Sequence, residues 1–106
     1  MTDSVGELEY LVLLTILRLG AAAYGVPIVE ELTRHTRRPI LRPSVYLALR
    51  RLEEKGLVRS RLGEPEARRG GRARRFFDVT AAGKRHVRES QRLMERLLRG
   101  VRLDEA

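Results

Sequence analysis

The chain has no cysteine and no tryptophan, and aromatic residues make up only 5% of it. Without cysteine there is no disulfide staple, no thiolate zinc site and no cysteine nucleophile. The two histidines, His35 and His86, are far apart in sequence and neither belongs to a paired-carboxylate motif. A surface role is expected for them, not metal binding or catalysis. No Gly-rich phosphate loop, nucleophile elbow or carboxylate dyad is present, so neither an enzyme nor a cofactor is expected. Long apolar runs are missing too. The longest, Leu8 to Leu17, is broken by Glu9 and ends at Arg18, well short of the ~20 residues that a membrane span needs. The opening MTDSVGELEY is acidic and polar, without signal-peptide character. A soluble, cytoplasmic protein is the expectation.

What remains is 106 residues, 42% hydrophobic, with a net charge of +8. That length suits one domain, and that apolar fraction suits one packed core. Lysine is nearly absent: twenty of the twenty-two basic residues are arginine. The planar guanidinium donates bidentately to phosphates and base edges. Biased genomes also encode arginine in excess, so its placement says more than its total. Residues 1–33 carry Arg18 against Asp3, Glu7, Glu9, Glu30 and Glu31. Residues 34–51 carry Arg34, Arg37, Arg38, Arg42, Arg50 and Arg51 with no acid, and residues 59–75 carry seven arginines against Glu64 and Glu66. A solvated face usually mixes signs, whereas a nucleic-acid footprint clusters one sign.

Ser4-Val-Gly-Glu7 has capping-box spacing, which predicts a first helix starting near Val5. From Leu8 to Leu19 it is apolar nearly all round, so it must be covered on more than one side, by its own core and by a second subunit. Gly20 supplies its stop. A second helix is expected from Tyr24-Gly25 to about Thr36, with Ile28, Val29 and Leu32 inward and Pro27 in its first turn. A third is expected from about Pro43 to Lys55, ended by Gly56. It turns Val45, Leu49 and Leu52 to one face and Pro43, Tyr46, Leu47, Arg50 and Arg51 to the other.

Residues 57–62 read as a strand and residues 64–71, with Pro65, Gly70 and Gly71, as a turn cluster. Residues 73–79 read as the returning strand, with Phe76 or Phe77 facing the core. Thr80 can cap a long last helix to about Arg102, with Val87, Met94, Leu97, Leu98 and Val101 near heptad spacing. Three helices, an arginine-rich hairpin and a last helix make a mainly α fold with a two-stranded β-wing. This is the order of a winged helix-turn-helix plus a C-terminal dimerisation helix. The expected division is a DNA-binding domain over residues 1–80 and a dimerisation helix and tail over residues 81–106. The helix at 43–55 suits the major groove, and the hairpin suits neighbouring phosphates or the minor groove.

Four stretches carry a more specific likeness. They are Gly6-Glu-Leu-Glu-Tyr-Leu-Val-Leu-Leu14, Ala23-Tyr-Gly25, Val45-Tyr-Leu-Ala-Leu-Arg-Arg-Leu-Glu-Glu-Lys-Gly-Leu-Val58 and Gly70-Gly-Arg-Ala-Arg-Arg-Phe-Phe-Asp-Val-Thr-Ala-Ala-Gly83. In this order and spacing, over roughly residues 6–90, the chain resembles the PadR-like family of bacterial transcriptional regulators, in its short subgroup without a separate helical C-terminal domain. The resemblance implies a dimeric regulator, usually a repressor, that binds near its own promoter and is often released by a small molecule. It makes Tyr46 the recognition-helix tyrosine, and Arg72 and Arg74 the wing-tip cations. The chain departs from the family at Leu41 and Pro43, where a Ser or Thr cap and a small residue are common. It departs again at Phe76 and Phe77, where tyrosine is common.

The expected function is thus a homodimeric, sequence-specific regulator of double-stranded DNA transcription, acting on a pseudo-palindromic operator. Its half-sites would lie about 10 bp, or a multiple of that, apart. Expected DNA contacts are Arg42, Ser44, Tyr46, Leu47, Arg50 and Arg51 on the third helix and Arg68, Arg69, Arg72 and Arg74 on the wing. Each has a plainer alternative: a solvated helix face for the arginines, packing for Tyr46, helix-end satisfaction for Ser44. Arg59 and Arg61 alternate on a strand and can simply be exposed, and Glu53-Glu54 beside Lys55 reads as solvated. Expected dimer contacts are Leu8, Leu11, Val12, Val87, Met94, Leu97, Leu98 and Val101, since a chain this short cannot cover both apolar surfaces alone. The resemblance implies an effector at the dimer interface. Against it, the last helix has no aromatic residue to stack on a planar ligand, which leaves control by abundance or by a partner. The reading from another class is a winged-helix interaction module for a protein or folded RNA. The acid-free span from Arg34 to Arg51 argues against a protein partner.

Overall fold

The computed structural model describes residues 4–64 and 73–104. Helix α1 spans Glu7–Leu19, α2 Gly25–Thr36, α3 Arg42–Glu54 and α4 Ala81–Leu98, and strands β1 (Val58–Leu62) and β2 (Arg75–Val79) lie between α3 and α4. A short 3₁₀ turn over Gly20–Ala22 follows α1. The winged-helix order expected from the sequence is therefore the observed one.

α1 begins two residues later than its capping-box spacing suggests, and that box does not form. Gly6 takes the N-cap position with extended backbone and no side-chain cap. The Ser4 carbonyl accepts instead from Lys55 Nζ at 2.7 Å, and Glu7 faces Arg38 at 3.2 Å. Of the two side chains that would close the box, Glu7 is thus engaged by a distant part of the chain. At the other end Gly20, at φ +60°, turns the backbone out of the helix. α2 stops by a left-handed residue as well, but here it is Arg37 at φ +58°, a conformation that glycine or asparagine usually takes.

The core forms where the inner faces of α1, α2 and α3 meet. Val12, Leu13, Ile28, Val45 and Leu52 are within it and essentially inaccessible to water. Its period on α3 is helical, with Val45, Ala48, Leu49 and Leu52 inward, as expected. The hairpin closes one end of this core. β1 and β2 pair antiparallel with Val58 opposite Val79, Ser60 opposite Phe77 and Leu62 opposite Arg75. Phe77 is the core-facing aromatic. Its N–H donates to the Ala23 carbonyl at 2.8 Å, and Tyr24 forms an isolated bridge with Phe76. The wing base is thus joined by main chain to the entry of α2, a link between residues more than fifty apart.

Thr80 caps α4 as expected, its hydroxyl oxygen accepting from the Gly83 N–H at 3.0 Å. Only the first half of α4 packs on the domain: Gly83 is buried, and Ala82 and Val87 rest against the core. Every residue from Gln91 to Leu98 is exposed. The helix ends at Leu98, not near Arg102, because Gly100 takes φ +81°. Val101 therefore lies past the helix and is not part of its stripe. Among the described residues no helix is long and apolar enough to cross a membrane.

Candidate nucleic-acid interface

α3 is anchored along its inner face, so its outer face has a fixed presentation. Pro43, in the first turn, starts the helix without sacrificing an intrahelical hydrogen bond. At 100° per residue, Pro43, Leu47 and Arg50 stand farthest from the core. Tyr46 and Arg42 fall on one flank, Ser44 and Arg51 on the other. The surroundings agree with this geometry. Tyr46 lies against the first turn of α2, where a Cβ on Gly25 would come within 2.9 Å of its ring and hydroxyl. It is still 46% exposed, so it packs and presents a polar edge together. Leu47 is 44% exposed, at the edge of a groove that it shares with Leu8 of α1. Ser44 and Arg51 line a groove shared with Gly6, Glu7 and Glu9 of α1 and its cap.

Charge pairing divides the basic segment in a way that composition does not. Arg34 binds Glu31, Arg38 reaches Glu7, and Arg51 stands 3.9 Å from Glu9. Each of these carboxylates comes from the acidic first third of the chain. Arg37, Arg42 and Arg50 are exposed and form no ion pair among the described residues. Within residues 34–51 the positive charge left without a carboxylate is therefore on α3 and the turn before it.

The loop-side half of the hairpin is built from stacked rings and guanidiniums. Arg61 lies over the Phe76 ring at 4.9 Å and faces Asp78 at 3.6 Å. Phe76 meets Tyr24 edge-on at 5.4 Å, and Arg74 lies over Tyr24 at 4.5 Å. Such cation–π contacts are worth about 0.5–1 kcal/mol at exposed sites. Arg74 is half-buried on Tyr24, just beyond the last strand pair, where its carbonyl accepts from the Gly63 N–H at 2.7 Å. Arg75 donates to the Ser60 hydroxyl at 2.9 Å, which in turn donates to Glu53 at 2.8 Å. Glu53 thus ties the hairpin to the end of α3, where the sequence suggested only solvation. Arg68, Arg69 and Arg72 lie outside the described residues. Between Tyr24, Val26, Tyr46, Arg74 and Arg75 runs an open groove of about 650 Å³.

Of the expected dimer contacts, Val12 is overturned: it is wholly buried in the core of its own chain and offers no surface to another. The i, i+3 and i, i+4 spacing of α1 places Val12 with Ile16 on the inward stripe, so this face could have been assigned from periodicity. Leu8 and Leu11 are half-buried and Val87 rests on the core, whereas Met94, Leu97 and Leu98 are exposed along α4, with Val101 beyond its end.

One polar centre was not anticipated. Glu31, largely buried, accepts from Arg18 Nε at 2.8 Å, binds Arg34 and meets His35 Nε2 at 2.9 Å. The Arg18 hydrogen bond does most to hold its carboxyl below the ordinary value near 4.5, against the opposing effect of burial, and His35 and Arg34 add to the lowering. The i, i+3 and i, i+4 spacings to Arg34 and His35 were visible in the sequence, but the Arg18 contact across α1 and α2 was not. Because the folded-state pKa is depressed, the stability it contributes is present above about pH 4.5 and is lost as pH falls through the lower folded value. Glu31→Gln should therefore have a lower urea midpoint than wild type at pH 6, and the two should converge on acidification. A constant difference from pH 6 to pH 2 would rule this out.

Comparison with known proteins agrees with this architecture. Residues 13–89 match the sequence profile of the Transcriptional regulator PadR-like family. A PadR family transcriptional regulator from Eggerthella lenta DSM 2243 is similar in structure, at 32% identity and TM-score 0.69, over 90% of this chain and 82% of that one. A PadR-like transcription factor from Bacteroides fragilis shares the fold at 23% identity and TM-score 0.71, over 89% of this chain and 85% of that one. A PadR family regulator from Clostridium difficile R20291 does so at 22% and 0.67, over 90% and 97%. No curated protein matches.

Proposed function

Because the chain belongs to the PadR-like family of transcriptional regulators, we propose that it is a homodimeric, sequence-specific repressor of double-stranded DNA transcription. In this reading, residues 1–80 form the DNA-binding domain and residues 81–106 the dimerisation helix and tail. α3 enters the major groove, with Arg50 and Leu47 at base edges and Tyr46, Arg42 and Ser44 toward the flanking backbone. Arg68, Arg69, Arg72 and Arg74 of the wing serve the neighbouring phosphates. The carrying observation is the outer face of α3. It presents an exposed leucine and two arginines without ion pairs among the described residues, on a helix whose opposite face is locked into the core. Bidentate guanidinium donors and an apolar side chain are the groups that distinguish guanine edges and thymine methyls. The groove between Tyr46 of α3 and Arg74 and Arg75 of the hairpin is also lined by Val26, Ala73 and Phe77, and its two cations suit a sugar-phosphate strand passing from α3 to the wing.

The dimer is supported by α4, whose distal half is exposed and carries Leu93, Met94, Leu97 and Leu98. Two-fold symmetry then sets half-sites about 10 bp, or a multiple, apart. Repression requires no more than occupancy of promoter DNA. No aromatic residue of α4 supports an effector at the dimer interface, so control by abundance or by a partner is the simpler regulation.

Fluorescence anisotropy with the DNA upstream of its own gene and a scrambled duplex, at two salt concentrations, tests the reading. A preference of about 10³-fold or more is expected. Absence of binding to either duplex would refute it and favour a winged-helix module for another partner. Arg50→Ala should cost about 1–3 kcal/mol on the preferred duplex and relax specificity at one position. Affinity and salt slope equal to wild type would remove Arg50 from the interface.

A further inference from the structure

We propose that Glu9 is a specificity-determining positioning residue that holds the Arg51 guanidinium away from DNA. The inference rests on the DNA-binding reading above and deepens it. Glu9 belongs to α1, yet it is only 8% exposed. Its partners are Arg51, in the last turn of α3, and Lys55, the residue that caps the same helix. Oε1 accepts from Lys55 Nζ, and Oε2 faces Arg51 Nη1 at 3.9 Å. A buried carboxylate with one cation at each oxygen is compensated, and removal of one leaves the other alone to offset its desolvation.

Lys55 is fixed in this role. It also donates to the Ser4 carbonyl at 2.7 Å, and its side chain is just 15% exposed. Arg51, with its side chain 55% exposed, is the member that solvent reaches. Swinging it toward a phosphate would strip Oε2 of its cation. Arg50, one residue earlier, points outward and has no ion pair among the described residues. Two adjacent arginines, identical in composition, thus have opposite uses.

The functional consequence lies in non-specific binding, whose strength and salt dependence grow with each cation placed on a phosphate. Withholding Arg51 keeps affinity for arbitrary duplexes low and leaves discrimination to Arg50 and Leu47. The test is the slope of log affinity against log salt for the full chain, on its upstream duplex and on a scrambled one. Arg51→Ala should keep the wild-type slope on both duplexes. Glu9→Gln should steepen the slope on the scrambled duplex by about one, and the Glu9→Gln/Arg51→Ala double variant should return it to the wild-type value.

A slope about one unit shallower in Arg51→Ala would overturn the proposal. So would a folded Glu9→Gln protein without the gain, or a gain that persists in the double variant. If circular dichroism shows Glu9→Gln unfolded, the slope of Arg51→Ala decides alone, in either direction. Wild-type protein that binds neither duplex overturns the DNA reading itself, a result distinct from all of these.

Discussion

Gly83→Ala is expected to destabilise the protein by about 1–3 kcal/mol, the usual cost of overpacking a well-filled site. In a helix the same change ordinarily stabilises by roughly 0.5–1 kcal/mol, because glycine loses more backbone entropy on folding. The sign reverses here because of what Gly83 touches. A Cβ at this position would lie 2.2 Å from the Leu57 carbonyl oxygen and 2.6 Å from Val79 Cγ1. The Leu57 oxygen is main chain, fixed by accepting from the Thr80 N–H at 3.0 Å, so it cannot rotate aside. The first turn of α4 would have to lift from the hairpin, loosening the Thr80 cap and the contacts of Ala82 and Val87. For a chain of this size each kcal/mol corresponds to about 4–8 °C in melting temperature. Thermal unfolding at equal protein concentration checks this. A melting temperature at or above that of wild type would show that α4 is not seated as described.

Converting the distal stripe of α4 to acid should have a still larger effect on function while leaving the fold alone. In the double variant Met94→Glu/Leu97→Glu, both changes fall where the helix touches nothing on its own chain: these residues are 55% and 69% exposed. The monomeric fold should therefore keep its circular dichroism. In a dimer each of these apolar side chains, if fully covered, stabilises by about 1.5–3 kcal/mol. Carboxylates in the same seam would be desolvated without cations to meet them. Light scattering should find monomer at concentrations where wild type is dimeric. Affinity for a two-half-site operator should fall by about 10²-fold or more, because the second head no longer binds as an intramolecular event. A dimer mass in the variant would move the interface elsewhere and remove α4 from it.

The elements were legible because their signals are local. Hydrophobic period placed α2 and α3, Gly20 and Gly56 marked helix ends, the Pro and Gly cluster separated the strands, and Thr80 capped α4. Errors arose where a local signal met a distant partner. The Ser4–Glu7 capping box does not form, and its Glu7 side chain faces Arg38 instead. Val12 was assigned to a second subunit because α1 is apolar all round, although its stripe with Ile16 belongs to the core. The end of α4 was set too late because Gly100 was not taken as a stop.

The sequence by itself determined the class of this protein: a winged-helix order of elements and a family likeness carried by four ordered stretches. Those are consequences of composition, periodicity and turn chemistry, all of which act between near neighbours. Only the tertiary structure decided which charges remain for a partner. The acid-free stretch from Arg34 to Arg51 looked uniformly available, yet Glu7, Glu9 and Glu31 occupy half of its arginines. Glu7 meets Arg38 across 31 positions, and Glu9 meets Lys55 across 46. Such pairings depend on how α1 crosses α2 and α3, and crossing is set by side-chain packing in the core rather than by any pattern along the chain.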